Sequence, residues 1–171
     1  MSTQPKKISY AAASAPSMVE PCMNLEEAVE QRAPFKNIHA RAAVNLLFTS
    51  NWLEERLKSA LDPYELTPQQ YNALRILRGG KGPLSTSVIR ERMIDKSSDV
   101  SRLVDRLLQK ELVTRCTCAS DKRLVDICIT SKGLELLAEM DHMEHPIEEH
   151  LQNLSDAEAL FLSQILDKIR G

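Results

Sequence analysis

Along residues 35–61, apolar side chains recur at Ile38, Ala42, Leu46, Leu53, Leu57 and Leu61, with Val44, Leu47, Phe48 and Trp52 widening the stripe. That spacing predicts one long, heavily buried helix, and its breadth implies contact with more than one partner. Upstream, Pro16, Pro21 and Pro34 interrupt a stretch with little sustained periodicity. Residues 1–33 therefore read as a flexible arm, in which Asn24 can cap a short helix reaching Gln31. Thr67, Pro68 and Gln70 form a helix start: threonine as N-cap, proline at the first helical position, glutamine reaching back to the cap. The helix that follows carries Tyr71, Leu74, Ile76 and Leu77 and stops at Gly79 and Gly80.

Two shorter helical segments come next. The first, Ser85 to Met93, places Val88, Ile89 and Met93 on one side. The second begins near Ser97 and runs from about Ser98 to Lys110, turning Val100, Leu103, Val104, Leu107 and Leu108 inward. Ser97, Ser98, Asp99, Ser101, Arg102 and Arg106 stay outside. Two short helices joined tightly form the centre of a helix-turn-helix. Beyond them, Leu112–Cys118 and Leu124–Thr130 are rich in β-branched residues around a polar turn at 119–123, the pattern of a β-hairpin. A last helical block starts at Ser131, is broken or kinked at Pro146, and resumes behind a capping box of Ser155 and Glu158 before Leu160, Phe161, Ile165, Leu166 and Ile169. The predicted fold is mainly α with a small β-hairpin wing.

Composition narrows this little: 171 residues with 43% hydrophobic and 27% charged side chains suit one compact globular domain. Charge is more informative. Between Arg90 and Lys132 ten Lys or Arg face seven Asp or Glu, whereas Leu134 to Leu160 holds eight acidic residues and no Lys or Arg. A basic middle between acidic helices is the pattern of a DNA-binding centre. Cys22, Cys116, Cys118 and Cys128 make neither a C-x-x-C site nor a dense disulfide framework, and Ala11–Met18 lacks the apolar run of an export signal. A cytoplasmic protein without membrane attachment is expected.

Three helices and a hairpin read DNA because the second helix of the pair fits the major groove while the hairpin reaches the neighbouring minor groove. Ser97 and Ser98 would offer hydroxyls at the start of the recognition helix, and Arg102, one turn on, could reach a phosphate or a guanine. Asp99, Ser101 and Arg106 share that outer face.

Three motifs then carry a resemblance. Asp121, Lys122 and Arg123 followed by Val125, Ile129, Thr130 and Gly133 are similar to the D-[KR]-R wing and L-T-x-x-G strand end of the MarR family of winged-helix regulators. Leu66, Thr67, Gln70, Tyr71 and Leu74 resemble its L-T-x-x-Q-[FY]-x-x-L helix, and Val100–Leu107 resembles its recognition helix. The resemblance runs from about Phe35 to Ile169. It implies that Arg123 enters the minor groove beside Lys122, oriented by a bidentate pair with Asp105 or Asp121. It also implies a homodimer formed through residues 34–61 and 133–171 around a winged unit at 62–132, and hence a roughly palindromic double-stranded DNA operator. Two departures stand out. Glu111 occupies the place where the family usually has glycine, so backbone strain or another conformation is expected there. Ser85–Ile89 departs from the family's L-A-x-x-L pattern, leaving the frame of that helix open.

The family implies a repressor released by a small aromatic ligand, with His39, Phe48, Trp52, Tyr64 and Tyr71 available to line a crevice; aromatics on helices are more often core. A redox- or metal-responsive regulator of the same fold is the alternative. Cys22 precedes the long helix, but Glu20 and Glu26 would raise its pKa rather than activate it, and Cys116 and Cys118 read as small strand residues. His142 and His145, near Glu144, Glu149 and His150, have zinc-like spacing but read as a solvated acidic helix end. No glycine-rich phosphate loop, nucleophile elbow or H-E-x-x-H motif is present, so no enzyme and no cofactor are expected; a metal-dependent hydrolase on His142 and His145 is the remote variant. A winged helix used only for protein contacts would differ in binding insensitively to salt.

Overall fold

The computed structural model describes residues 24–80, 82–117, 125–141 and 147–171, with the side chains of Thr117 and Val125 left aside. Residues 24–45 belong to one compact unit and Leu46–Gly171 form a second.

In the first unit, α1 (Leu25–Ala28) is held by a capping box in which the Asn24 side chain accepts from the Glu27 amide at 3.0 Å and the Glu27 carboxylate accepts from that of Asn24. This helix is shorter than the segment to Gln31 that the sequence suggests. Arg41 grips Glu26 with two bonds of 2.6 and 3.0 Å, which hold the glutamate's carboxyl below its ordinary pKa and raise that of the guanidinium. The long helix α2 (Ile38–Leu61) starts three residues later than Phe35 because Asn37 caps it, its Oδ1 accepting from the Ala40 amide at 2.9 Å. Only Leu61 of α2 is buried, whereas Leu47 and Ile38 are 66% and 68% exposed. The expectation of a heavily buried helix is thus not met within one chain.

The second unit is built on α3 (Pro68–Arg78), α4 (Thr86–Arg92) and α5 (Val100–Gln109). Thr67 and Gln70 form the anticipated capping box, each side chain accepting from the other's amide, at 3.2 and 3.1 Å. Ser85 caps α4. Leu61, Leu74, Ile89, Met93, Val100, Leu107, Ile127 and Leu137 are the largest fully buried side chains of one contiguous core. The recognition helix starts at Val100, not near Ser97 or Ser98: Asp99 is the N-cap, its carboxylate accepting from the Arg102 amide at 3.2 Å. Its inward residues are those expected from the periodicity, with Val100, Leu103, Val104 and Leu107 buried.

Strands β2 (Val113–Thr117) and β3 (Val125–Ile129) pair antiparallel with Val113 opposite Ile129 and Thr117 opposite Val125. A short strand β1 (Leu84–Ser85), absent from the sequence reading, pairs with the other edge of β3, giving the order β1-β3-β2. Glu111, between α5 and β2, takes φ 60°, the left-handed conformation foreseen where glycine is usual. Then α6 (Ser131–Asp141) packs closely behind the hairpin. A Cβ on Gly133 would lie 2.4 Å from the Leu112 carbonyl oxygen, so only glycine permits that approach. Thr130 locks the junction: its amide donates to the Leu112 carbonyl, its hydroxyl donates to the Glu111 carbonyl at 2.8 Å, and that same oxygen accepts from the Gly133 amide. Leu137 and Met140 of α6 are buried in the core, and Arg78 pairs with Asp141. The first part of the segment expected to serve dimerisation therefore belongs to the winged core. A short α7 (Glu148–Leu151) precedes α8 (Asp156–Arg170), whose Ser155–Glu158 capping box matches the sequence.

Candidate nucleic-acid interface

The surface of α5 is set by a turn that precedes it. The carboxylate of Asp95 accepts from the Ser97 amide at 2.9 Å, the Ser97 hydroxyl at 2.6 Å and the Ser98 hydroxyl at 2.9 Å, with the Gln69 side chain beside them. Chiefly the Ser97 hydroxyl, with the Ser97 amide and the Ser98 hydroxyl, holds Asp95 below its ordinary pKa. Both serines expected to offer hydroxyls to DNA thus spend their hydrogen-bond protons on Asp95, keeping oxygen lone pairs rather than donors. Asp99 caps the helix and lies 3.3 Å from Arg102 Nε, so it organises the helix start rather than presenting a free carboxylate.

Ser101, Arg102, Asp105 and Arg106 are all exposed on the outer face of α5, and the Arg102 side chain is 82% exposed. Asp105, one of the two carboxylates expected to orient Arg123, pairs with Arg115 on β2 at 2.7 Å. Arg115 and Asp95 are the site residues that the sequence reading missed. The only hint was the odd-numbered alternation that puts Val113 and Arg115 on one face of β2. Asp121, Lys122 and Arg123 lie outside the described residues.

A cavity of about 710 Å³ opens beside this turn. Leu53, Leu57, Met93 and Ile94 give it apolar walls, while Tyr71, Asn72, Arg75 and Asp95 supply polar atoms. Arg75 donates to the Tyr71 hydroxyl at 3.3 Å and sits over its ring, and Asn72 Oδ1 accepts from the Ile94 amide at 3.0 Å. Of the aromatics expected to line a crevice, Tyr71 alone borders this cavity. Trp52 stacks edge-on against His150 at 4.7 Å with Arg56 4.5 Å above its ring; Phe48 is exposed, as is His39 in the other unit, and Tyr64 packs against the core. His150 thus faces an indole, while Cys22, Cys118, His142, Glu144 and His145 fall outside the described residues.

Residues 64–124 match the family model described as MarR family. The chain is 27% identical over 119 residues to the HTH-type transcriptional regulator MhqR of Bacillus subtilis (strain 168), across 68% of this chain and 81% of MhqR.

The winged unit of the chain, residues 64–124, is similar to the MarR family.

A second relative, the HTH-type transcriptional repressor MdtR of the same organism, is 33% identical over 81 residues, 47% of this chain and about half of MdtR (52%). In fold, the chain resembles a mutant MarR from E. coli complexed with operator DNA, with TM-score 0.68 and 21% identity over 80% of this chain and 99% of that one. MarR-family chains are winged-helix transcription regulators, and α3, α4, α5 and β2 of this one fall inside the matched span. The enzyme reading ends there: this is a DNA-binding regulator, not a hydrolase.

Beside this surface the three-stranded sheet is cross-linked. Cys116 on β2 and Cys128 on β3 form a disulfide, with Cα atoms 6.6 Å apart. Reading Cys116 as only a small strand residue is therefore corrected: Cys116 opposes Asp126 and Cys128 opposes Thr114, so the two cysteines are diagonal neighbours on one face.

Proposed function

We propose that the protein is a cytoplasmic homodimer that represses transcription from a roughly palindromic operator and is released by a small aromatic ligand. The observation that carries the DNA reading is the exposed polar face of α5, with Ser101, Arg102 and Arg106 outward on a helix whose opposite face is fully buried. Arg102 and Arg106 would meet the major groove, while Lys122 and Arg123 at the wing tip would meet the minor groove. The name of MdtR supports repression.

Dimerisation has its own support. On α8, Leu160, Phe161 and Ile169 are more than 60% exposed, and Leu162 and Ile165 about 40%. Leu46, Leu47 and Phe48 on α2 are exposed likewise. An apolar face of that breadth is costly in water, and a second copy of the chain would cover it. Residues 34–61 and the end of 133–171 would supply the dimer, and 62–132 the winged unit. Among the described residues no helix is long and apolar enough to cross a membrane.

Ligand release would run through Asp95. It borders both the 710 Å³ cavity and a cleft of about 370 Å³ shared with Ser97, Ser98, Asp99, Arg102 and Arg106. An aromatic acid or phenol fits the larger cavity, its ring against Leu53, Leu57 and Ile94 and its oxygen toward Arg75. Occupancy that shifts the Ile94–Asp95 turn would move the start of α5 and favour a state that no longer fits DNA. Site selection on random duplex DNA, followed by a screen of aromatic acids for release of the selected duplex, tests this. A selected half-site repeated in inverted orientation is expected, and recovery of no enriched sequence would end the reading.

A further inference from the structure

The Cys116–Cys128 bond ties the two strands of the wing below its tip. β2 is the edge strand of the sheet, hydrogen-bonded on one side to β3 alone, and β3 gains only two residues of β1 beyond it. A ladder this short holds a hairpin weakly by itself. The bond encloses residues 117–127, a segment that includes Lys122 and Arg123. Both cysteines are half-buried, so a small reagent can reach the sulfurs. Neither cysteine lies in the cavity beside Asp95.

We propose that Cys116 and Cys128 are a reversible redox site at which low-molecular-weight disulfides tighten the wing's grip on DNA. The proposal rests on the DNA-binding reading given above. The thiolate of one cysteine attacks the small disulfide, giving a mixed disulfide and releasing one small thiol. The second cysteine's thiolate then attacks the protein sulfur of that mixed disulfide, forming the Cys116–Cys128 bond and releasing the second small thiol. Two protein thiols are oxidised, one small disulfide is reduced to two thiols, and the two protein thiol protons end on them. In the reduced state β2 and β3 are held by their short ladder alone and can part, so less of the population keeps the paired hairpin. In the oxidised state more of the population is ready to enter the groove, and apparent affinity rises with that fraction.

The test equilibrates the full-length protein in mixtures of reduced and oxidised glutathione. Fragmentation of the tryptic peptides locates the bond, and fluorescence anisotropy gives the affinity for the selected duplex. Oxidation is expected to join Cys116 to Cys128 within one chain and to tighten binding about three- to tenfold. Cys116→Ser and Cys128→Ser should abolish the response and keep the reduced-state affinity, while Cys22→Ser and Cys118→Ser should retain it. Equal affinity of both states, tighter binding when reduced, or a bond between other cysteines would overturn the proposal. If neither state binds duplex, the DNA-binding reading fails as well; if both bind alike, only the redox proposal does.

Discussion

Asp105 on α5 and Arg115 on β2 are joined at 2.7 Å, a link between the recognition helix and the wing. Both side chains are more than half exposed, so water screens the pair and its share of stability is small. Its effect should be geometric, fixing the angle at which the hairpin leaves the helix. Arg115→Ala is expected to lower the thermal midpoint by no more than about 2 °C while weakening duplex binding about fivefold or more. Paired melting and anisotropy measurements check this. A large loss of stability with unchanged affinity would reverse the assignment.

Asp95 gives a pH signature. Its carboxyl is held below the ordinary value of 3.8, so the folded state favours the ionised form. The resulting stabilisation is complete above that ordinary value and is lost as pH falls through the depressed one. The difference in thermal midpoint between the wild type and Asp95→Ala should therefore stay constant from about pH 7 to 5 and shrink below about pH 4. Duplex affinity of Asp95→Ala should fall at neutral pH, because Ser97 and Ser98 lose the acceptor that holds them.

How much of this was readable in advance depended on range along the chain. The Thr67–Gln70 and Ser155–Glu158 boxes join residues three apart, and the inward face of α5 follows from its period, so both were visible in the sequence. β1 was not, because two residues show no period and its partner Ile127 lies far along the chain. The Cys116–Cys128 pairing needs the register of the hairpin, which spacing alone does not supply. That Ser97 and Ser98 donate to Asp95 was not visible either, because this acceptor is placed by turn geometry. Which of the aromatics borders the cavity could not be read, since a helical wheel tells which residues share a face, not which hollow they border; Tyr71 does.

Glu111 and Gly133 test the hairpin's foundation in opposite directions. Glu111 sits at φ 60°, and its carboxylate meets the exposed Lys132 at 3.1 Å. Glu111→Gly should raise the thermal midpoint by about 2–4 °C by relieving the left-handed backbone. Gly133→Ala should lower it by several degrees, as the new Cβ meets the Leu112 carbonyl. Calorimetry on both variants suffices, and a stabilising Gly133→Ala would contradict the packing described.

The exposed face of α8 predicts the oligomeric state. Phe161 is 64% exposed in the single chain, so Phe161→Glu costs little in the monomer but places a charge in the proposed dimer. Sedimentation should show a dimer for the wild type and monomer for the variant at micromolar concentration. A variant that stays dimeric would move the interface elsewhere.

The most direct test of the central claim is the affinity of wild type and Arg123→Ala for the selected duplex, measured across a salt series. The wild type should lose affinity steeply as salt rises, through release of counterions from the phosphates. Arg123→Ala should bind at least about tenfold more weakly at every salt concentration while melting as the wild type does. Wild-type affinity that ignores salt, or an Arg123→Ala protein that binds as tightly as the wild type, would contradict a winged helix that grips DNA through its wing.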